Sequence, residues 1–168
     1  SMAAPHVAGG AALVMEYIKE HDEFKNLPPS EQTRLAKVIL MNTATIVYDE
    51  YGWEYSPRRQ GAGLMNLYGA VSTPVRLVDV TTNEAKVELK DFEETSFTME
   101  FKAINHSDTD ATYNVDVIVL KDYIYPYAGK ELNLLSSDYI YEATIDKPET
   151  ITVPANSEIT FELTVDIG

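Results

Sequence analysis

Residues 2–20 place small and apolar side chains on every side of a helix. Met2, Ala3, Ala4, Val7, Ala8, Ala11, Ala12, Leu13, Val14, Met15, Tyr17 and Ile18 surround the axis, and no charged side chain precedes Glu16. A helix apolar all round must be buried all round. The residues that follow, as far as position 74, predict one further helix and loops, too little chain to enclose it. The expectation is that this helix belongs to a core larger than the chain itself. Pro5 falls in its first turn, where a missing N–H costs little.

His21-Asp22-Glu23 breaks the pattern, and Leu27-Pro28-Pro29-Ser30 predicts a loop ending in a cap, with Ser30 at the N-cap and Glu31 in the first turn. A second helix follows through Leu35, Ala36, Val38, Ile39, Leu40 and Met41, ending near Asn42–Thr45. Residues 46–60 predict a loop with aromatic anchors. Gly61 and Gly63 allow a tight turn into a short helix over Leu64–Val71. Beyond Ser72-Thr73-Pro74 the apolar period changes to two. Phe97, Met99, Phe101 and Ala103 form one alternating run; Tyr113, Val115, Val117 and Val119 form another; Ile159, Phe161, Leu163 and Val165 form a third. Weaker runs lie at Leu77–Val80, Ala85–Leu89, Tyr139–Ile145 and Thr150–Val153. About seven strands with turn signals at Asn105–Asp110 and Pro154–Ser157 predict a β-sandwich. The division is therefore 1–74, helical, and 75–168, all-β.

Composition narrows the choices. The 168 residues carry a net charge of −14, split into −2 for residues 1–74 and −12 for residues 75–168. That excess of carboxylates and the lack of a basic stripe argue against nucleic acid or an anionic membrane as partner. No run reaches the roughly 18 apolar residues of a membrane span. Cysteine is absent, which does not decide the compartment, because a sufficient core can replace disulfides.

The opening nine residues, Ser1-Met2-Ala3-Ala4-Pro5-His6-Val7-Ala8-Gly9, resemble the nucleophile motif of subtilisin-like serine proteases. The run Leu40-Met41-Asn42-Thr43-Ala44 resembles the segment after the nucleophile helix in that family. Ser56-Pro57-Arg58-Arg59 and Gln60-Gly61-Ala62-Gly63 before a short helix are similar to the branch of Gram-positive cell-envelope proteinases, the lactocepin and complement-cleaving type. The second half, with Asn105-His106-Ser107-Asp108 between strands, resembles the fibronectin type III-like module of the same enzymes. The resemblance implies a mixed fold: an α-helical C-terminal fragment of an α/β subtilisin-like domain, then an all-β fibronectin type III-like sandwich. It implies Ser1 as the nucleophile of a secreted or wall-associated endopeptidase acting on proteins or peptides.

Such catalysis needs a histidine base, an aspartate to orient it, and oxyanion donors, which in this family precede the serine. His6 lies within the motif and reads as structural, His21 ends the first helix, and His106 falls in a strand–strand turn. None is expected to act as base, so residues 1–168 alone are expected to be inactive. A free terminal amine beside Ser1 raises the alternative of an N-terminal nucleophile hydrolase, disfavoured because that serine would begin a strand. A non-catalytic structural or partner-binding module is the competing class.

Other signals read as structural. Asp108 and Asp110 have the opening spacing of a calcium loop without its glycine and distant glutamate, so a solvated turn is expected. No cofactor is expected from these residues, and calcium in the parent is left open. Asn105-His106-Ser107 has the form of a glycosylation sequon, and a plain turn is preferred. Tyr123, Tyr125, Tyr127, Tyr139 and Tyr141 are expected to pack against strands rather than form an exposed binding face. Arg58-Arg59 is suggested to pair with acidic groups of the sandwich. The apolar first helix is expected to bury itself against a second copy or to remain unordered.

Overall fold

The computed structural model describes the backbone of residues 1–168 and every side chain except those of Leu134 and Leu135. Helix α1 spans Ala3–Glu20 and α2 spans Pro29–Asn42. They pack against each other and, with Phe24 and Ala70, build a core that also holds Val14, Ile18, Leu35, Ala36 and Ile39. Gly10 sits where α1 meets the following chain. A Cβ there would lie 2.3 Å from the Met65 sulfur, so a larger residue would push the end of that side chain aside. α1 is nonetheless buried on one side only. Met2 is 84% exposed and Leu13 54%, as the shortage of surrounding chain required.

Two helix boundaries differ from expectation. Ser30 does not cap α2: the helix starts at Pro29, with Pro28 at the N-cap and no side-chain cap. Proline suits the first helical position because its missing N–H would be unpaired there in any case. The helix expected over Leu64–Val71 is instead α4, Leu67–Ser72, capped by the Asn66 side chain. Leu64 is extended and bridges Thr45, and Gly63 adopts φ +125 with Thr45 O in the space a Cβ would need. Between them, Ser56 caps the single-turn α3 (Pro57–Gln60). The Gln60 amide accepts from Val47 N at 2.8 Å and donates to Tyr55 O at 2.5 Å, which ties the 46–60 loop to itself.

The second half has eight strands: β1 (Val75–Asp79), β2 (Ser96–Asn105), β3 (Ala111–Asn114), β4 (Leu120–Tyr127), β5 (Lys130–Tyr139), β6 (Thr144–Asp146), β7 (Thr150–Val153) and β8 (Ser157–Asp166). One sheet runs β1-β2-β8-β6, while β3-β7 and β4-β5 form separate pairs, all antiparallel. The β2–β8 register aligns Phe97 with Val165, Met99 with Leu163, Phe101 with Phe161 and Ala103 with Ile159. The alternating residues therefore share one face, and a slip by one would expose the whole set. On the other face, Thr98 and Thr164 hydroxyls meet at 2.8 Å.

Several expected strands change. The run from Tyr113 to Val119 is a strand only as far as Asn114, and Ala85–Leu89 is not a strand. Tyr139–Ile145 is split by a turn at Tyr141–Glu142, between β5 and β6. The β4–β5 hairpin is turned by Ala128 and Gly129, both at positive φ (50 and 74), the conformation a two-residue hairpin loop demands. Tyr123, Tyr125, Tyr127 and Tyr141 are exposed rather than packed, because the hairpin stands apart from the four-stranded sheet. Its facing partner is the helical half of the chain.

Both halves are tied together at several points. The Asn42 side chain imitates a strand, donating to Leu77 O at 3.0 Å and accepting from Leu77 N at 2.6 Å. The suggested basic contact exists as Arg58 Nη1 to Asp122 at 2.5 Å, and Lys37 pairs with Glu84 at 2.6 Å. Phe24 meets the His106 ring edge at 5.1 Å and stacks on His21 at 4.8 Å. Tyr139 donates its hydroxyl to Glu54, which holds the phenol up at about 12.

Candidate active site

Ser1 lies exposed just before the first turn of α1. The turn has no acidic residue and no side-chain cap, so its unpaired N–H groups and the positive end of the helix dipole face the same open space as the serine. That is a setting suited to developing negative charge. Beyond it, the uncovered side of α1 carries Ala4, Ala8, Ala12 and Gly9, with Val7 and Leu13 exposed beside them. A Cβ on Gly9 would meet nothing within 4 Å. Small residues on a bare helix face allow another element to approach closely.

Of the three histidines, His6 alone belongs to the first turns of α1. His6 Nδ1 contacts Met2 O at 2.8 Å, one turn back along the same helix. His21 lies at the far end of α1, on the order of 27 Å from its start at 1.5 Å per residue. His106 is its neighbour, with ring centroids 6.0 Å apart. Among the described residues, no histidine or carboxylate hydrogen-bonds Ser1, and none of the three histidines forms an ion pair.

His106 is shaped by its surroundings in another way. Burial, then the Arg76 and His21 charges, bring its pKa from 6.5 down to about 4. Its Nδ1 and Arg76 Nη1 are buried without hydrogen-bond partners. Burial likewise lowers the Arg76 pKa, and its guanidinium lies 5.6 Å from the Phe24 ring centre. This is a packed junction between the halves, remote from the serine.

The remaining sequence signals resolve as structure. Asn105 is 2% exposed, and its amide donates to Thr109 O and Val153 O at 2.8 and 3.0 Å. A glycan cannot reach that nitrogen. Asp108 accepts from Asn156 Nδ2 and Asp110 from Ala155 N, which stitches two turns together. Among the described residues no group of three or more metal-ligating side chains occurs, and no helix is long and apolar enough to cross a membrane. Sequence reasoning missed an aromatic cleft between the 46–60 loop and the β4–β5 hairpin. Its only signal was the clustering of Tyr51, Trp53 and Tyr55 with the tyrosines of the hairpin.

Comparison with known proteins agrees with this layout. Residues 1–70 match the subtilase family, and residues 87–168 match an Fn3-like domain. The whole chain is 32% identical over 169 residues to a C5a peptidase of Streptococcus pyogenes serotype M1, and spans 14% of its length. It is 30% identical over 178 residues to PII-type proteinases of Lacticaseibacillus paracasei and Lactococcus lactis subsp. cremoris, spanning 9% of each. The chain joins a segment of the subtilase family to an Fn3-like domain.

Proposed function

We propose that this chain is the nucleophile-bearing part of a secreted or wall-associated serine endopeptidase of a Gram-positive bacterium, with protein or peptide substrates. Ser1 attacks the scissile carbonyl carbon, and its hydroxyl proton passes to a histidine outside residues 1–168, oriented by an aspartate likewise outside them. The α1 N-terminus favours the oxyanion that forms. The histidine returns that proton to the leaving amine as the C–N bond breaks, and acylated Ser1 is then hydrolysed by water activated by the same histidine. The division proposed is residues 1–74 for the catalytic-domain segment and 75–168 for the Fn3-like domain. No cofactor is assigned to these residues.

The observation that carries the reading is the serine at the open end of a helix whose small-residue face is bare. The match of residues 1–70 to the subtilase family supports it. The expected result is that Ser1→Ala, in the longer protein that contains this chain, lowers peptide hydrolysis at least about a thousandfold, in line with loss of a nucleophile. Retention of hydrolysis would remove Ser1 from the mechanism. The 168-residue chain alone is expected to give no hydrolysis.

A second consequence concerns self-association of the isolated chain. Met2, Val7 and Leu13 are exposed along α1, and apolar surface of this kind is buried against a second copy when nothing else covers it. Light scattering is expected to find dimers or larger species that dissociate on Leu13→Glu. A monomer with an ordered α1 would contradict this.

A further inference from the structure

A cleft of about 590 Å³ opens between the 46–60 loop and the β4–β5 hairpin. Its walls are Tyr51, Trp53 and Tyr123, which are 78%, 44% and 43% exposed. Large aromatic groups are seldom left this open in one concavity without a partner. The cleft is held rigidly rather than by chance. Asp49 accepts from Tyr51 N and Trp53 N, each at 2.9 Å, which fixes the turn that presents both rings. Trp53 leans on Tyr139 at 5.4 Å, while Ser137 Oγ donates to Glu54 O and so clamps the loop to the hairpin.

Charge decides what the cleft takes. Asp49, Glu54 and Asp138 contribute three carboxylates to its lining. Arg59 is the basic side chain among the lining residues, and it lies over the Tyr55 ring at 4.7 Å. The balance is negative, in a chain whose net charge is −14. Aromatic faces attract cations through their quadrupole, and carboxylates beside them add Coulomb attraction that a partly enclosed site screens less than bulk water does. Neutral sugars also stack on aromatic rings, but gain nothing from the fixed negative charge.

From this geometry we infer that the cleft binds an arginine or lysine side chain on an exposed segment of another polypeptide. The aliphatic stem lies against Tyr51 and Trp53, and the cationic head reaches Asp138 and Asp49. The site is separate from Ser1 and does not depend on peptide-bond hydrolysis.

Trp53 is the sole tryptophan in the sequence, so its fluorescence reports directly on the cleft. The chain is titrated with acetyl-Gly-Arg-Gly-amide, with the citrulline isostere, and with a neutral chito-oligosaccharide. The arginine peptide is expected to change Trp53 emission saturably, with the other two at least tenfold weaker. Raising salt from about 50 to about 500 mM should weaken it severalfold, as for an ionic contact. Asp138→Asn keeps the acceptor for Tyr139 N and is expected to weaken binding at least threefold. Tyr51→Ala, at a residue whose side chain is mostly in solvent, should do the same with unchanged circular dichroism. Equal binding of citrulline, tighter binding of the oligosaccharide, or no saturable change would overturn the proposal. Since none of these variants touches Ser1, each of those outcomes leaves the peptidase reading standing.

Discussion

Helix α1 and the β2–β8 strand pair differ in how completely each covers its apolar side chains. In the β half, alternation puts Ala103, Val153, Leu163 and Val165 inside while threonines and glutamates take the outer face. In the helical half, α1 buries Gly10, Val14 and Ile18 and leaves Val7 and Leu13 in solvent. The charge divides similarly, with −2 in residues 1–74 and −12 in residues 75–168. The β2–β8 pair covers its own apolar face, although the β4–β5 hairpin beside it leaves Tyr123, Ile124, Tyr125 and Tyr127 exposed. Helix α1 reads as one face of a larger core, held in place partly by its neighbours.

The strongest way to break that comparison is at Phe24, 1% exposed and the largest wholly buried side chain. It belongs to the helical core and also meets His106 and Arg76. Phe24→Ala is expected to cost about 3–5 kcal/mol. Hydrogen exchange should show α1 and α2 losing protection while β2 and β8 keep theirs. Equal loss in both halves would mean that the sheet depends on the helices as much as they depend on it.

A smaller effect follows from acid. Unfolded, His106 takes up its proton near 6.5; folded, it resists until about 4. Between those values the unfolded chain binds more protons, so stability falls as pH falls through that window and the penalty is complete below it. With allowance for solvent screening the loss is about 2 kcal/mol. His106→Phe should flatten that part of the pH profile in urea denaturation. An unchanged slope would place the acid sensitivity elsewhere.

The smallest effect is expected at the Arg58–Asp122 contact, where both side chains remain partly in water. Arg58→Ala should change stability by no more than about 1 kcal/mol, and less at high salt. Its readout is the orientation of the β4–β5 hairpin, measured by a spin-label distance from the 46–60 loop. A large stability loss would show the contact to be structural in a way its exposure does not suggest.

Much of this was legible from residue patterns. The period-two runs at Phe97–Ala103 and Ile159–Val165 became the paired strands β2 and β8, because one buried face fixes both conformation and register. The bare helix was legible from the excess of apolar positions over available cover. The β4–β5 hairpin was not, because Leu120–Tyr127 does not alternate cleanly and its turn is Ala-Gly rather than Asn-Gly. Ser30 misled because Pro28 takes the N-cap and Pro29 starts the helix, two residues earlier than a Ser30 cap implies. The aromatic cleft was illegible for a different reason. It is formed by residues about 70–90 positions apart in sequence, and only the register of loop against hairpin brings them together. Ser1 carried its meaning in the sequence through the motif, and the structure adds its place at the open, uncapped end of α1.

The most direct test of the account is labelling by a serine-reactive phosphonate, read by mass spectrometry. In the longer protein that contains this chain, a single adduct is expected at Ser1, lost with Ser1→Ala. In residues 1–168 alone, Ser1 is expected to remain unlabelled, as an ordinary hydroxyl without a base. Efficient labelling of the isolated chain, or labelling of the longer protein at another serine, would contradict the account.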